Sequence, residues 1–226
     1  MKIAKSQLNK NVIEWVDYYL KGMSWELAAT WMDMVKNDSR HVGMKSWHYV
    51  YIEKDKTYVK TKEPNAINQL EFTITLLKNR NLLEMEKVSE LIRVLFHLVG
   101  DVHQPLNCGY PTDKGGNDVA VKFLDKPSSL NKVWEQDLLE EKKVDMWACS
   151  RVLLGLSSKE RHQIQRIEIV NWVQESRQLL PHVYNFKNGK IEQDYVNANN
   201  PIVCKQLVKA GLRLATILNK IFDSQI

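Results

Sequence analysis

The stretch FHLVGDVHQPLNCGYPTDKGGN, residues 96 to 117, places a histidine and a carboxylate four positions apart, at His97 and Asp101. Residues at i and i+4 share one face of a helix, so these two side chains can reach a single metal ion. Pro105 and the glycines that follow it end the helix and turn the backbone sharply. The stretch therefore predicts a binding site at the end of a helix rather than ordinary packing.

A second cluster of ligand types precedes this stretch. The segment TWMDMVKND, residues 30 to 38, supplies Asp33, and the segment SWHYVYI, residues 46 to 52, supplies His48. Two histidines and two aspartates form a suitable set of nitrogen and oxygen donors for zinc. The sequence therefore predicts one zinc site with four ligands, which are Asp33, His48, His97 and Asp101.

The order and spacing of these pieces resemble the zinc-dependent S-one/P-one nuclease family, roughly from residue 25 to residue 222. The motifs that carry the resemblance are WMD at 31–33, WHY at 47–49, HLVGDVHQPL at 97–106, GGN at 115–117, SLNKVWE at 129–135 and AGLRLA at 210–215. The family hydrolyses single-stranded DNA and RNA and 3'-phosphomononucleotides. The resemblance implies an all-α fold, a single mainly helical domain of the phospholipase C/P-one nuclease type, with a short β hairpin or strand near 119–124.

The resemblance also implies a cluster of three zinc ions, of which one keeps its full ligand set here. That ion is the one held by the four residues already singled out. The resemblance further implies catalytic roles for Asp101, which the family shares between two ions, and for Lys36, which stands where the family carries an arginine.

The family's other two ions lose most of their ligands in this chain. Asn107 and Asn131 replace two family histidines, and Glu135 replaces a family aspartate. A carboxamide oxygen is a neutral and weak zinc donor, so neither asparagine replaces a histidine as a ligand. Glu135 is left as the remaining ligand of this ion, and alone it would bind the ion weakly. The family's N-terminal Trp/His segment is absent, and Tyr51 stands where the family uses an acid beside the attacking water. We therefore expect one zinc ion rather than three, and impaired hydrolysis.

A loop that binds the nucleotide base in the family is intact. The resemblance assigns Lys114, Gly116 and Asn117 to this loop, and Tyr49 of the WHY motif to the same nucleotide-binding site. Nucleotide binding is therefore expected even where catalysis is weakened.

Three functions remain open from the sequence. The first is a nuclease of reduced activity that acts on single-stranded nucleic acid or 3'-nucleotides. The second is a catalytically degenerate pseudoenzyme that binds nucleotides or nucleic acid and keeps one zinc. The third is a helical remnant or regulatory module without any ligand. Metal content and turnover distinguish the three.

Apolar periodicity and capping residues predict the main helices. We expect one helix from Asn65 to about residue 79, and the central helix from Glu84 to His103. Asn200 and Pro201 are predicted to open the last helix, which runs to about Phe222. Two further predictions are a strand at 119–123 and a capping box at 157–160 that opens the helix carrying Trp172.

Composition is consistent with one domain, 1–226, and favours a monomer. No run of eighteen apolar residues occurs, so no membrane span is expected. Cys108, Cys149 and Cys204 lack CxxC spacing and are expected as buried thiols outside any disulfide. A net charge of +5 mildly favours an anionic partner. The location is expected to be cytoplasmic if Met1 is the true start, and secreted or periplasmic if an upstream signal peptide is missing.

Overall fold

The computed structural model describes residues 1–141 and 146–223, in which helices surround one buried helix, Met85–Asp101. The first helices are α1 (Lys2–Lys5), α2 (Lys10–Leu20), α3 (Trp25–Val35), α4 (Ala66–Lys78) and α5 (Met85–Asp101). Short 3-10 helices lie at Val42–His48, Arg80–Leu82, Pro105–Cys108 and Pro111–Asp113. The later helices are α6 (Leu130–Lys132), α7 (Leu138–Glu141), α8 (Met146–Gly155), α9 (Ser158–Ile164), α10 (Ile169–Arg177), α11 (Leu180–Val183) and α12 (Gln193–Phe222). The prediction of a mainly helical fold is confirmed.

A small sheet follows the glycine-rich loop. Strands β1 (Ala120–Phe123) and β2 (Lys126–Ser129) form an antiparallel hairpin, and β3 (Lys190–Ile191) pairs parallel to β1 on its other edge. The hairpin matches the strand predicted near 119–124. The third strand was not predicted, because two residues carry too little periodicity to be recognised.

Helix α5 is buried along nearly its whole length and organises the largest core cluster. Val88, Ile92, Leu95 and Leu98 are buried, and so are Phe96 and Val99, which lie close to His97 in the chain. Helices α3 and α4 make the most extensive packing against it. A helix that is apolar on most sides must be enclosed, and this enclosure fixes the position of the residues in its last turn.

The central helix ends at Asp101, two residues before the predicted end. His103 therefore lies in the turn after the helix and not in the helix itself. The buried imidazole of His103 accepts a hydrogen bond from the Arg213 guanidinium at 2.8 Å and donates one to the carbonyl oxygen of Val99 at 2.6 Å. These tertiary bonds hold the chain in the turn conformation.

The capping box at Ser157 and Glu160 is present, but the helix it opens is α9, which ends at Ile164. Trp172 lies on the separate helix α10, so the prediction of one continuous helix was wrong. The buried indole of Trp172 donates a hydrogen bond to the carbonyl oxygen of Arg166 at 3.0 Å. A continuous helix would use that carbonyl for its own hydrogen bond, and the break leaves it available.

The last helix begins at Gln193, and Pro201 lies inside it, so the predicted start at 200 was wrong. Contacts of its first turns outweigh the hydrogen bond that proline cannot donate. The buried hydroxyl of Tyr195 donates to the carbonyl oxygen of Val183 at 2.6 Å and accepts from the Trp134 indole at 2.8 Å.

Two smaller predictions concern the membrane and the cysteines. Within the described residues, no helix combines the length and the apolar character that crossing a bilayer requires. Cys108, Cys149 and Cys204 are buried and none is in a disulfide, as predicted. Burial raises the pKa of the Cys108 thiol far above its ordinary value.

Candidate metal centre

The last turn of α5 brings two predicted ligands together. The Nε2 atom of His97 lies 3.2 Å from the Oδ2 atom of Asp101, as their spacing of four residues requires. Both side chains are largely buried, with 9% exposure for His97 and 14% for Asp101. The pair is therefore held in a rigid and poorly hydrated position at the end of the central helix.

His48 approaches the same point from the end of the 3-10 helix Val42–His48. Its Nδ1 atom lies 2.9 Å from Nε2 of His97 and 3.1 Å from Oδ2 of Asp101. The segment after His48 is fixed by a hydrogen bond from the amide of Val50 to the carbonyl oxygen of Asn107 at 2.8 Å. Three potential ligand atoms thus converge from two chain segments far apart in sequence.

Asp33, on α3, closes the cluster on the solvent side. One ligand atom each of Asp33, His48 and His97 lie within 4.8 Å of one another, and Asp33 Oδ2 is 4.0 Å from Nε2 of His97. The Asp33 side chain is 55% exposed, so the cluster opens to solvent through it. The ammonium group of Lys36 lies 3.7 Å from Oδ1 of Asp33, at the edge of this opening.

Two features indicate that the cluster suits a metal ion. The Oδ2 atom of Asp101 is buried and makes no well-aligned hydrogen bond, although two imidazole nitrogens lie beside it. The Nδ1 atom of His97 is 2.7 Å from the carbonyl oxygen of Ala29, and this bond leaves Nε2 directed at the cluster. Two imidazoles and two carboxylates match the preferred donors of zinc, so the residues fit one such ion.

The electrostatics of the metal-free cluster follow from these contacts. Burial alone would lower the pKa of His97, but the charge of Asp101 and the bonds to Asp101 and Ala29 raise it to about 9. Burial opposes the charge of Asp101 as well, yet His97 and His48 hold the pKa of this carboxyl below its ordinary value. A proton therefore occupies the position where a metal ion would bind.

The positions of the family's second ion carry side chains with other partners. The amide of Asn107 donates to Oδ1 of Asp101 at 3.3 Å, and the amide of Asn131 donates to the carbonyl oxygen of Gly115 at 3.0 Å. Glu135 lies on the π-helical turn Val133–Asp137 and lines a cavity of about 600 Å³ together with Asp33 and Asp101. Across residues 1–141 and 146–223, one group of three clustered His, Cys, Asp or Glu ligands occurs; it is formed by Asp33, His48 and His97, and both Asp101 and Glu135 are outside it.

Glu135 nonetheless responds to the cluster. Partial burial raises its pKa, and the negative charges of Asp101 and Asp33 raise it further. The cavity is thus lined by three carboxylates, and Lys36 and the protonated imidazole of His97 offset part of their charge. An excess of negative charge around one cavity favours the binding of a cation.

The predicted nucleotide loop lies next to the metal cluster and is held by several hydrogen bonds. Lys114, Gly115 and Gly116 adopt left-handed φ values of 52°, 61° and 77°. The Lys114 carbonyl oxygen accepts from the Tyr51 hydroxyl at 2.9 Å and from the Asn117 amide at 2.8 Å. A Cβ atom on Gly115 would overlap the carbonyl oxygen of Leu106 and lie 2.7 Å from the Tyr51 ring. The loop therefore requires glycine at this position.

Two aromatic rings complete the loop. Tyr49 stacks on Tyr51 with ring centroids 4.3 Å apart and an interplanar angle of 11°. Burial raises the pKa of Tyr51 to about 12, with Tyr49 and Glu135 adding to the rise. The structure thus gathers Tyr49, Lys114, Gly116 and Asn117 around one loop, and Tyr51 is a further member whose hydroxyl stays protonated.

The sequence did not reveal the groups that support this site. The 2% exposed side chain of Arg213 binds both carboxylate oxygens of Glu175 at 2.8 Å and donates to His103. Gln206 donates to the His103 carbonyl oxygen at 2.8 Å, so α10 and α12 hold the turn after Asp101. Of these groups, the motif AGLRLA pointed to Arg213 alone. The Ala29 carbonyl, which bonds to His97, is a main-chain group and could not be recognised from a side-chain type.

Comparisons with known proteins agree with this geometry. Endonuclease 4 of Arabidopsis thaliana is 25% identical over 259 aligned residues, covering 99% of this chain and 87% of that protein. Endonuclease 1 of the same organism is 28% identical over 155 residues, covering 60% of this chain. The matched part spans about half the length of Endonuclease 1 and of Endonuclease 2. The sequence model of the S1/P1 Nuclease family matches residues 1–223, nearly the whole chain, and the protein therefore belongs to that family.

Proposed function

We propose that the protein is a zinc-dependent phosphodiesterase that acts on single-stranded nucleic acid or 3'-nucleotides at a reduced rate. The observation that supports this most directly is the convergence of Asp33, His48 and His97 within 4.8 Å, with Asp101 beside both histidines. A zinc ion bound there supplies Lewis-acid polarisation of a phosphoryl oxygen. We propose a single ion, because the amides of Asn107 and Asn131 are weak donors that already have partners.

The chain's own residues would divide the remaining work. Asp33, His48, His97 and Asp101 hold the ion, with Glu135 as a weak additional ligand at the rim of the cavity. Asp101 is also proposed as a catalytic residue, and its Oδ1 atom accepts a hydrogen bond from Asn107 in the segment that precedes the nucleotide loop. Lys36, with its ammonium group 3.7 Å from Asp33, can attract a phosphate and balance its charge.

The nucleotide loop would position the substrate. The stacked Tyr49 ring offers an apolar surface to a base, and Lys114, which is ion-paired with Asp118 at 3.0 Å, would have to exchange this partner for a phosphate. Gly116 lets the chain approach closely, because it carries no side chain. The Asn117 amide donates to the loop itself, which leaves its Oδ1 atom to accept a hydrogen bond from a base edge. The chain 1–226 is proposed to act as one domain and as a monomer.

Zinc content and hydrolysis, measured on the same protein, test the proposal. Wild-type protein should contain one zinc ion per chain and cleave single-stranded DNA at mildly acidic pH. The His48→Asn variant should lose most of its zinc and its activity, because it lacks a ligand. His162→Asn is a matched control, since His162 is exposed on α9, and it should keep both. Three ions per wild-type chain would contradict the single-ion proposal.

The second candidate is a pseudoenzyme that keeps one zinc and binds nucleotides without turnover. It is favoured by the bond from Asn107 to Asp101 and by Tyr51, an uncharged side chain where the family has an acid. Binding of a 3'-phosphomononucleotide by zinc-loaded protein without release of phosphate would support it. Protein that contains neither zinc nor nucleotide affinity would favour the third function, a module without a ligand.

A further inference from the structure

Three exposed lysines lie on one face of the small sheet, outside the metal centre and the nucleotide loop. We name them the sheet lysines: Lys122 on β1, Lys190 on β3, and Lys187, which bridges to Lys190 from the turn before β3. All three are exposed. Lys126, at the start of β2, pairs with the buried Phe123 and so lies toward the other face. The three sheet lysines therefore form a basic surface that the mechanism above does not use.

The backbone forces two of these lysines together. Lys122 and Lys190 are direct partners in the parallel pairing of β1 and β3, and the Lys122 amide donates to the Gly189 carbonyl oxygen at 2.7 Å. Side chains of paired residues point to the same face of a sheet, with neighbouring strands about 4.8 Å apart. Two like charges in this position destabilise the sheet unless something compensates them.

The opposite face of the sheet cannot accept them. Val121 and Phe123 flank Lys122, and Ile191 follows Lys190, and these three side chains are buried in the second core cluster. Strand alternation therefore directs both lysines outward. A shift of either strand by one residue would turn its lysine toward the core and bury a charge. The core therefore fixes the outward position of the basic surface.

The sheet lysines make no ion pair within residues 1–141 and 146–223. Many exposed lysines elsewhere do, as Lys5 does with Asp17 and Lys87 with Glu90. Glu192 and Asp194 line a cavity with Lys187 and Lys190 but are not ion-paired with them in that part of the chain. The ammonium groups of the basic surface are thus available to an external anion.

The sheet is joined directly to the nucleotide loop. The main-chain amide of Asn131 donates to the Gly116 carbonyl oxygen at 3.1 Å. The main-chain amide of Leu130 donates to the Val119 carbonyl oxygen at 2.9 Å. Lys122 follows Asn117 by five residues, which is at most about 17 Å of extended chain. A nucleic acid strand leaving the loop can therefore reach the sheet within a short length.

We propose that the sheet lysines hold the phosphates of single-stranded nucleic acid beyond the metal centre, so that a long strand binds more tightly than a dinucleotide. This inference rests on the proposed function for its choice of anion. Binding to phosphates is electrostatic and independent of sequence, and single strands lose about 0.7 counterion per contact. The surface therefore governs substrate length rather than the chemical step.

Binding of a phosphorothioate oligothymidylate of about 12 nucleotides to zinc-loaded protein tests the inference, with fluorescence anisotropy at several salt concentrations. For the double variant K122Q/K190Q we expect a Kd about tenfold higher at low salt and a salt slope smaller by about 1.4. The double variant K78Q/K159Q removes two exposed charges on α4 and α9 and serves as the control, with a Kd within about twofold of wild type. The affinity of a dinucleotide should stay unchanged in both.

Several results would overturn the inference. These are an unchanged Kd and salt slope in K122Q/K190Q, equal losses in both double variants, or an equal loss for the dinucleotide. Loss of binding to anionic lipid vesicles, with oligonucleotide binding intact, would assign the surface to membranes instead. Failure of the proposed function is seen separately, as zinc-loaded wild type that does not hydrolyse the unmodified dinucleotide while sheet-dependent binding persists.

Discussion

The hydroxyl group of Tyr51 lies 2.9 Å from the main-chain carbonyl oxygen of Lys114, 63 residues further along the chain. This hydrogen bond connects the segment after His48 with the left-handed loop that precedes β1. The Tyr51 hydroxyl therefore links the two predicted parts of the site, the metal ligands and the nucleotide loop, through a hydrogen bond.

Tyr51→Phe should loosen the nucleotide loop while keeping the stacking on Tyr49. We expect the free energy of unfolding to fall by about 1 kcal/mol, because the variant leaves the Lys114 carbonyl with the two donors of Asn117 and without the Tyr51 hydroxyl. Chemical denaturation measures this change. Tyr58→Phe is the control, since the buried Tyr58 hydroxyl has no hydrogen-bond partner among the residues that the structure describes, and its stability should be unchanged or slightly higher. Equal losses in both variants would contradict the role of the Tyr51 hydrogen bond.

Gly115→Ala should be more damaging than its backbone angle alone explains. The added methyl group would collide with the Leu106 carbonyl oxygen and the Tyr51 ring, so we expect a loss of about 3 kcal/mol or more. Gly22→Ala separates the two effects, because Gly22 has φ of 84° and open space around its Cβ position. That control should lose only about 1 kcal/mol, from backbone strain. Thermal unfolding of both variants decides, and similar losses would show that the collision is unimportant.

His103 should lower the stability of the protein in weak acid, in opposition to His97, whose raised pKa adds stability as the pH falls. Burial, followed by the charge of Arg213, lowers the pKa of His103 from 6.5 to about 3. The unfolded chain binds this proton below pH 6.5 and the folded chain does not, so unfolding is favoured as pH falls. This single group should cost about 2 kcal/mol between pH 8 and pH 5.

The comparison of wild type with His103→Gln isolates that contribution. The variant should be less stable at pH 8, because its packing and hydrogen bonds are altered, but the difference in stability between wild type and variant should shrink by about 2 kcal/mol from pH 8 to pH 5. Denaturant unfolding at both pH values gives the two differences. Parallel curves for the two proteins would show that His103 carries no such effect.

Zinc binding should release a proton at neutral pH. Burial opposes the charge on His97, but Asp101 raises its pKa to about 9, so the metal-free protein carries a proton on this imidazole at pH 7. Zinc requires the neutral ring, and its affinity should therefore rise about tenfold per pH unit between pH 6 and pH 8. Calorimetry in buffers of different ionisation enthalpy measures the proton release. Affinity that is independent of pH would contradict the assignment of His97 as a ligand.

Local signals in the sequence predicted the elements that need few distant contacts. Asn65 caps α4 as expected, and the apolar positions of α4 and α5 face the core as their periodicity indicated. Asp33, His48 and His97, which the structure brings together, could be singled out because side-chain type and spacing are themselves the signal, and their role as zinc ligands stays a prediction. The prediction of the family was correct.

The features that sequence reasoning missed depend on partners remote in the chain. The first turns of α12 form despite Pro201 because Tyr195 bonds to Val183 and Trp134. Asn131 was interpreted as a lost zinc ligand, and the structure shows in addition that its amide supports the Gly115 carbonyl. No local pattern encodes such contacts, since each requires the folded position of the second residue.

Helix α5 carries the proposed metal ligands His97 and Asp101 on its last turn, and this placement has a consequence for local unfolding. Leu95 to Val99 are buried without interruption, so their amides are expected to exchange with solvent deuterium through global opening alone. Fraying, which loosens most helix ends, is suppressed at this one. Release of zinc on heating should therefore coincide with the cooperative loss of helical circular dichroism rather than precede it.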